Sequence, residues 1–215
     1  MKKPFRLFCA ILTWVTIIGQ YIIMARSGDF SSIGAATLTY LGYFTVLTNI
    51  LAALAFTTPF LKPGNTLRQF FDRQAVRAAI ALYILVVMVV YWALLASIHN
   101  PTGWSAIFNV GLHLVIPILF IIDWMAFSPK GNMSYKHLPY WTIYPVVYGL
   151  FNIARGLITG FYPYPFLDVS KLGYGNVFVN MLGFMSIYLI GGAAFITIGW
   201  YLSHKRIEPP AKSSD

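Results

Sequence analysis

The sequence predicts an all-α, polytopic membrane protein: one domain over residues 1–215, built as a bundle of six transmembrane helices. Composition is the first of three observations behind that reading. Of 215 residues, 58% are apolar and only 10% are charged, against about 25% charged in a soluble domain. The mean hydropathy of +0.69 agrees, and so little polar surface could not cover a water-facing globule. The second observation is a set of six apolar stretches of the roughly 20 residues that cross a hydrocarbon layer, near 7–25, 38–61, 75–98, 106–127, 139–160 and 176–202. The third is the punctuation between them, where glycine or proline combines with charge or amide groups.

The first stretch follows the basic start "MKKPFR" and ends at "RSGD". Its apolar run is too long for a secretory signal and no small-x-small cleavage pattern follows, so it is expected to be retained. The second, bounded by "KPGNTLRQFFDR", contains Thr45, Thr48 and Asn49. The third ends at "HNPTG". The fourth contains Asn109 and His113 and ends at "SPKGNMSYKH". The fifth contains Tyr148, Asn152 and Arg155 and ends at "YPYPFLDVSKLGYG", which includes Asp168. Asn176 and Asn180 open the sixth. No internal repeat, soluble domain or low-complexity segment is visible.

Lysine and arginine in short connections favour the cytoplasmic side. Lys2, Lys3, Arg6, Lys62, Arg68, Arg73, Arg77, Lys130, Lys136, Lys205, Arg206 and Lys212 fall in the N-terminus, the second and fourth loops and the tail; only Arg26 and Lys171 fall in the other loops. Both termini are therefore expected in the cytoplasm. Topology accounts for the net charge of +9, and no nucleic-acid partner is implied. A single cysteine, Cys9, excludes an internal disulfide.

This orientation gives the polar residues depths. At about 1.5 Å per residue, Thr45 and Thr48 lie roughly 10–15 Å below the outer end of the second span, Asn109 about 5 Å and His113 about 10 Å below that of the fourth. Asn152 and Arg155 fall at similar depth, and Asn176 and Asn180 open the sixth span. Four spans thus direct polar stripes into one layer of the outer half, with residues three or four apart sharing a face. Membrane-embedded polar groups normally face a bundle interior or a wet cavity. The bland role for Thr48, Asn49 and Asn152 is interhelical hydrogen bonding, worth about 0.6 kcal/mol on average. Arg155 can snorkel or pair with Asp168 or Asn180. At the inner side, Asp123 with Trp124 and Tyr140 with Trp141 read as interfacial anchors. His137 and His204 read as solvated, and His99 as an outer-surface group of either kind.

No cysteine pair, HxxxH pattern, GxSxG elbow or phosphate-cradling glycine loop is present, so no metal or cofactor is expected. Nucleophilic catalysis is open to the residues present. A threonine hydroxyl becomes nucleophilic when a neighbouring base takes its proton, and neutral imidazole is the usual base. Thr45 and His113 are the pair at matched depth, with Thr48 one turn from Thr45 as the other register. An amide such as Asn109 could orient the ring or stabilise an oxyanion, and Arg155 could hold a carboxylate headgroup.

The segments "YFTVLTNI" (43–50), "GLHLVIPILFIIDW" (111–124) and "YPVVYGLFNIARGLITGFYPYPFLDV" (144–169) resemble the androgen-induced/FAR-type six-pass membrane proteins, particularly their bacterial relatives. The resemblance covers most of residues 38–184 and implies a bacterial inner-membrane protein acting on membrane lipids. From the animal members it implies a threonine hydrolase of fatty acid esters of hydroxy fatty acids, its threonine and histidine falling on Thr45 and His113. Acyl transfer to another lipid hydroxyl is the closest variant. A small-solute or proton carrier using Arg155, Asp168 and His113, and a non-catalytic lipid-binding protein, are the alternatives.

Overall fold

A computed structural model describes residues 1–129 and 133–204. Lys130, Lys205, Arg206 and Lys212 of the predicted charge pattern lie outside the described residues. Among the described residues every regular element is helical, with no strand. Helix α1 runs Lys2–Ala25, α2 Ile33–Tyr40, α3 Phe44–Thr57, α4 Thr66–Phe71, α5 Gln74–Val90, α6 Gly103–Val110, α7 Ile116–Phe127, α8 Leu138–Thr159 and α9 Val169–His204. A π-helical turn, Tyr91–Leu95, extends α5, and a second, Gly111–Val115, joins α6 to α7. Gly173, with φ of 74°, kinks α9 near its start.

Four helical segments are long and apolar enough to cross a membrane, and a fifth results if α2 and α3 form one broken span bent by 78°. The chain is thus a multi-pass integral membrane protein. Helix α8, the fifth of the six predicted spans, has spanning length at 22 residues but not the same apolarity, because tyrosines, Asn152 and Arg155 interrupt it.

The packing is that of a bundle in lipid. On α1 the residues Leu7, Phe8, Ile11, Val15, Ile18 and Ile22 form an exposed apolar stripe, while Cys9, Ala10, Thr13, Thr16 and Ile17 are buried. Helix α1 packs on α3, α3 on α5, α5 on α7 and α9, and α8 on α9. Small residues let these backbones approach: Ala52, Ala53 and Ala55 of α3 are fully buried, and a Cβ on Gly111 would collide with Thr16 of α1.

The end of the bundle that holds Asp123 differs from the sequence expectation. Asp123 is not an interfacial anchor: it is fully buried and receives Arg6 Nε and Nη2 at 2.6 and 2.8 Å and Arg77 Nη1 at 2.8 Å. Arg77 also donates to the Ala55 carbonyl at 2.7 Å. Arg6 and Arg77, counted among the loop charges by the sequence, are paired and buried in the bundle. Trp124 packs on Phe195, and Trp141 is buried with its carbonyl accepting from Tyr83. Tyr140 alone of these aromatics is exposed.

Candidate functional site

Thr45 owes its availability to its place in α3. Helical threonines in this chain commonly return their hydroxyls to their own helix: Thr13, Thr16, Thr37, Thr57, Thr159 and Thr197 each donate to the carbonyl four residues back. Thr45 is the second residue of α3, so the residue four back lies before the helix. Its hydroxyl is left to reach across the bundle, and Oγ1 sits 3.2 Å from His113 Nε2.

The break between α2 and α3 that creates this helix start is held by Tyr148. Its hydroxyl accepts the Phe44 N–H at 3.1 Å and donates to the Gly42 carbonyl at 2.7 Å. Glycine at residue 42 leaves room for the Arg155 guanidinium, which a Cβ there would displace.

His113 is set by its π-helical turn. The Ile116 N–H bonds back to the Gly111 carbonyl, and Pro117 has no N–H, so the Leu112 and His113 carbonyls lose their usual donors four residues on. Two side chains replace them. Asn49 Nδ2 donates to Leu112 O at 3.2 Å as well as to Thr45 O at 2.8 Å, and Trp92 Nε1 donates to His113 O at 3.1 Å. Asn49 thereby ties the helix of Thr45 to the turn of His113.

The imidazole has one tautomer that suits its partners. Nδ1 lies 2.9 Å from the Asn109 carbonyl, which can only accept, so Nδ1 carries the proton. Nε2 then presents its lone pair to the Thr45 hydroxyl. Tyr91 fixes the ring plane by stacking on it, with centroids 3.7 Å apart and planes 20° apart. Tyr91 is itself held by Asn109 Nδ2, which donates to its hydroxyl at 2.6 Å, and its own O–H points to His99 Nδ1 at 3.2 Å. Tyr164 completes the cluster: its hydroxyl accepts the Thr45 N–H at 3.3 Å and lies 3.4 Å from Thr45 Oγ1.

Thr45 stands at the seam of two cavities. One, lined by residues such as Val86, Val90, Met181, Phe184 and Tyr188, is apolar and lies among α5, α8 and α9. The other holds His113 and Asn109 with Gln20, Asp29, His99 and Ser105, and reaches the loops at that end of the bundle. Thr45, Tyr91, Leu95 and Tyr164 line both.

The remaining predicted residues disperse. Thr48 Oγ1 turns to Tyr144 at 3.2 Å, away from His113. Asn152 Nδ2 bonds its own helix at Tyr148 O, leaving Oδ1 buried without a partner. Arg155 lies over the Phe161 ring at 4.8 Å and, among the described residues, forms no ion pair. Asp168 does not reach it, because it caps the start of α9 through Ser170 and Lys171. The Ser170 hydroxyl, above all, holds the Asp168 carboxyl below its ordinary range. Asn180 donates to Phe166 O at 3.0 Å, and Asn176 bonds back within α9. The polar layer is therefore not one cluster, since local backbone acceptors satisfy these amides more cheaply than partners across the bundle.

Sequence reading overlooked Tyr91 and Tyr164. Tyrosines are ordinary membrane residues; the available signals were Pro117, four residues after the histidine, and the paired prolines around Tyr164. Among the described residues no three His, Cys, Asp or Glu side chains gather as a metal site. Comparison of the chain with family models, curated proteins and solved structures finds no match.

Proposed function

We propose that this protein is an intramembrane lipid-ester hydrolase with Thr45 as nucleophile and His113 as general base. The observation that carries the reading is the directed hydrogen bond from Thr45 Oγ1 to an imidazole whose other nitrogen is committed to a carbonyl. That is the arrangement a nucleophile and its oriented base require. The seam between two cavities supports the substrate class: an acyl chain occupies the apolar side, and the polar side supplies water. The sequence resemblance to the androgen-induced/FAR-type proteins points to esters of hydroxy fatty acids.

In the reaction, Thr45 Oγ attacks the ester carbonyl as its proton passes to His113 Nε2. The tetrahedral intermediate expels the alcohol, which takes that proton, and an acyl-threonine remains. Water then attacks with His113 again accepting a proton, the bond from the acyl carbon to Thr45 Oγ breaks, Oγ recovers the proton from His113, and the acid leaves. In the same reading all six predicted spans cross a bacterial inner membrane with both termini cytoplasmic, α8 being carried by its neighbours despite its polar residues.

A fluorophosphonate probe on detergent-purified protein tests this by intact mass. Wild type and Thr48→Ala are expected to gain one adduct, and Thr45→Ala and His113→Ala none. Folded wild type that stays unlabelled would turn the reading toward non-catalytic lipid binding.

A further inference from the structure

Resting on the Thr45–His113 reading, we infer that Tyr164 is a third catalytic residue, whose phenol O–H stabilises the ester carbonyl oxygen as it becomes the oxyanion. The Thr45 O–H is committed to His113 Nε2, and the Thr45 N–H donates to the Tyr164 oxygen. The Tyr164 proton is therefore free to point at Thr45 Oγ1, 3.4 Å away. That bond is long and its acceptor is the atom that reacts.

When Oγ1 forms its new bond to the carbonyl carbon, the lone pair it offers Tyr164 is withdrawn while negative charge grows on the adjacent carbonyl oxygen. The phenol O–H changes acceptor from Oγ1 to that oxygen. The Thr45 N–H, at the first turn of α3 where the helix dipole is positive, remains on the phenol oxygen and strengthens it as a donor. No proton leaves Tyr164 in this step. Collapse of the intermediate returns the electron pair to the carbonyl and breaks the bond to the alcohol oxygen, which collects the proton held on His113.

The position of Tyr164 is built rather than incidental. Pro163 and Pro165 flank it, its ring stacks on Phe166 with 9° between planes, and Tyr43 meets it edge-on. It lines both cavities at the seam where an ester group would lie. Tyr148, by contrast, spends both its donor and acceptor on the α2–α3 break, and so serves as a structural control on the same helix end.

The test uses full-length protein in detergent with a medium-chain p-nitrophenyl ester and the fluorophosphonate probe. Tyr164→Phe is expected to lower kcat by roughly 10²–10³-fold, the cost of losing one oxyanion donor, with KM nearly unchanged. Tyr148→Phe is expected to lower thermal stability and, through the looser start of α3, to lower kcat by less than Tyr164→Phe does. Should Tyr164→Phe fail to fold, 3-fluorotyrosine at position 164 preserves the shape while altering donor strength, and a changed kcat at constant KM is expected. Wild type labelled at Thr45 together with wild-type kcat in the Tyr164 variant that folds would overturn the role of Tyr164 alone. Wild type with neither label nor turnover would overturn the underlying Thr45–His113 reading, and the two failures are thereby distinguishable.

Discussion

Asp123 is the residue on which one end of the bundle depends. One carboxylate accepts three charge-assisted hydrogen bonds from Arg6 and Arg77, while Asp72, at 4.0 Å from Arg77, sits half in solvent. Removing the carboxylate leaves two guanidinium groups buried without their counter-charge, and breaking a buried pair in this way costs about 3–5 kcal/mol. Asp123→Ala is therefore expected to lower the thermal midpoint sharply in detergent, while Asp72→Ala, at a half-exposed pair, barely moves it. Equal melting of the two variants would contradict this account. Sequence reading could not find this cluster. Arg6 and Asp123 are 117 positions apart, and each sits beside a predicted span end, where a charge and a tryptophan ordinarily mark the membrane interface. Thr45 and His113 were accessible because both lie well inside apolar runs, where depth can be counted from the ends.

At the scale of elements, two π-helical turns carry the site. A π turn inserts one residue into the helical phase, and such turns often occur at functional sites. Here one turn begins at Tyr91 and the other contains His113, and their rings stack. Pro117 sustains the second turn by denying His113 O its usual donor. Pro117→Ala restores that N–H, which then competes with the Trp92 indole and draws Gly111–Val115 back toward α-helical phase. The expected outcome is unchanged or higher stability but a labelling rate at Thr45 reduced roughly a hundredfold, the scale of a misplacement of about 1 Å. Thermal melting and timed labelling on the same preparation check both halves. Periodicity alone could not reveal these turns, because a one-residue shift inside an apolar run leaves the run apolar. The bend between α2 and α3 was hidden for a similar reason: residues 38–61 read as one continuous span, and only Gly42, beside Arg155, hints at the break.

The whole molecule is organised as a lipid-facing shell around two different ends. One end holds the ion-paired lock of Asp123, the other the seam of the two cavities. Cys9 is the only cysteine and is buried, so Cys9→Ala provides a background for mapping sidedness. In that background a cysteine at Lys171 is expected to react with a membrane-impermeant maleimide added outside intact cells, and one at Lys62 only after permeabilisation. The reverse pattern would invert the topology and place the mouth of the polar cavity in the cytoplasm.

The arginine–aspartate lock also constrains the order in which the chain can be made. Arg6 and Arg77 leave the ribosome long before Asp123, which lies near the end of α7. Until the segment containing Asp123 is inserted, both cations lack the partner that allows them to be buried, and α1 and α5 cannot settle at their final depth. A chain that ends before residue 123 holds both arginines without the Asp123 carboxylate that they share in the finished bundle.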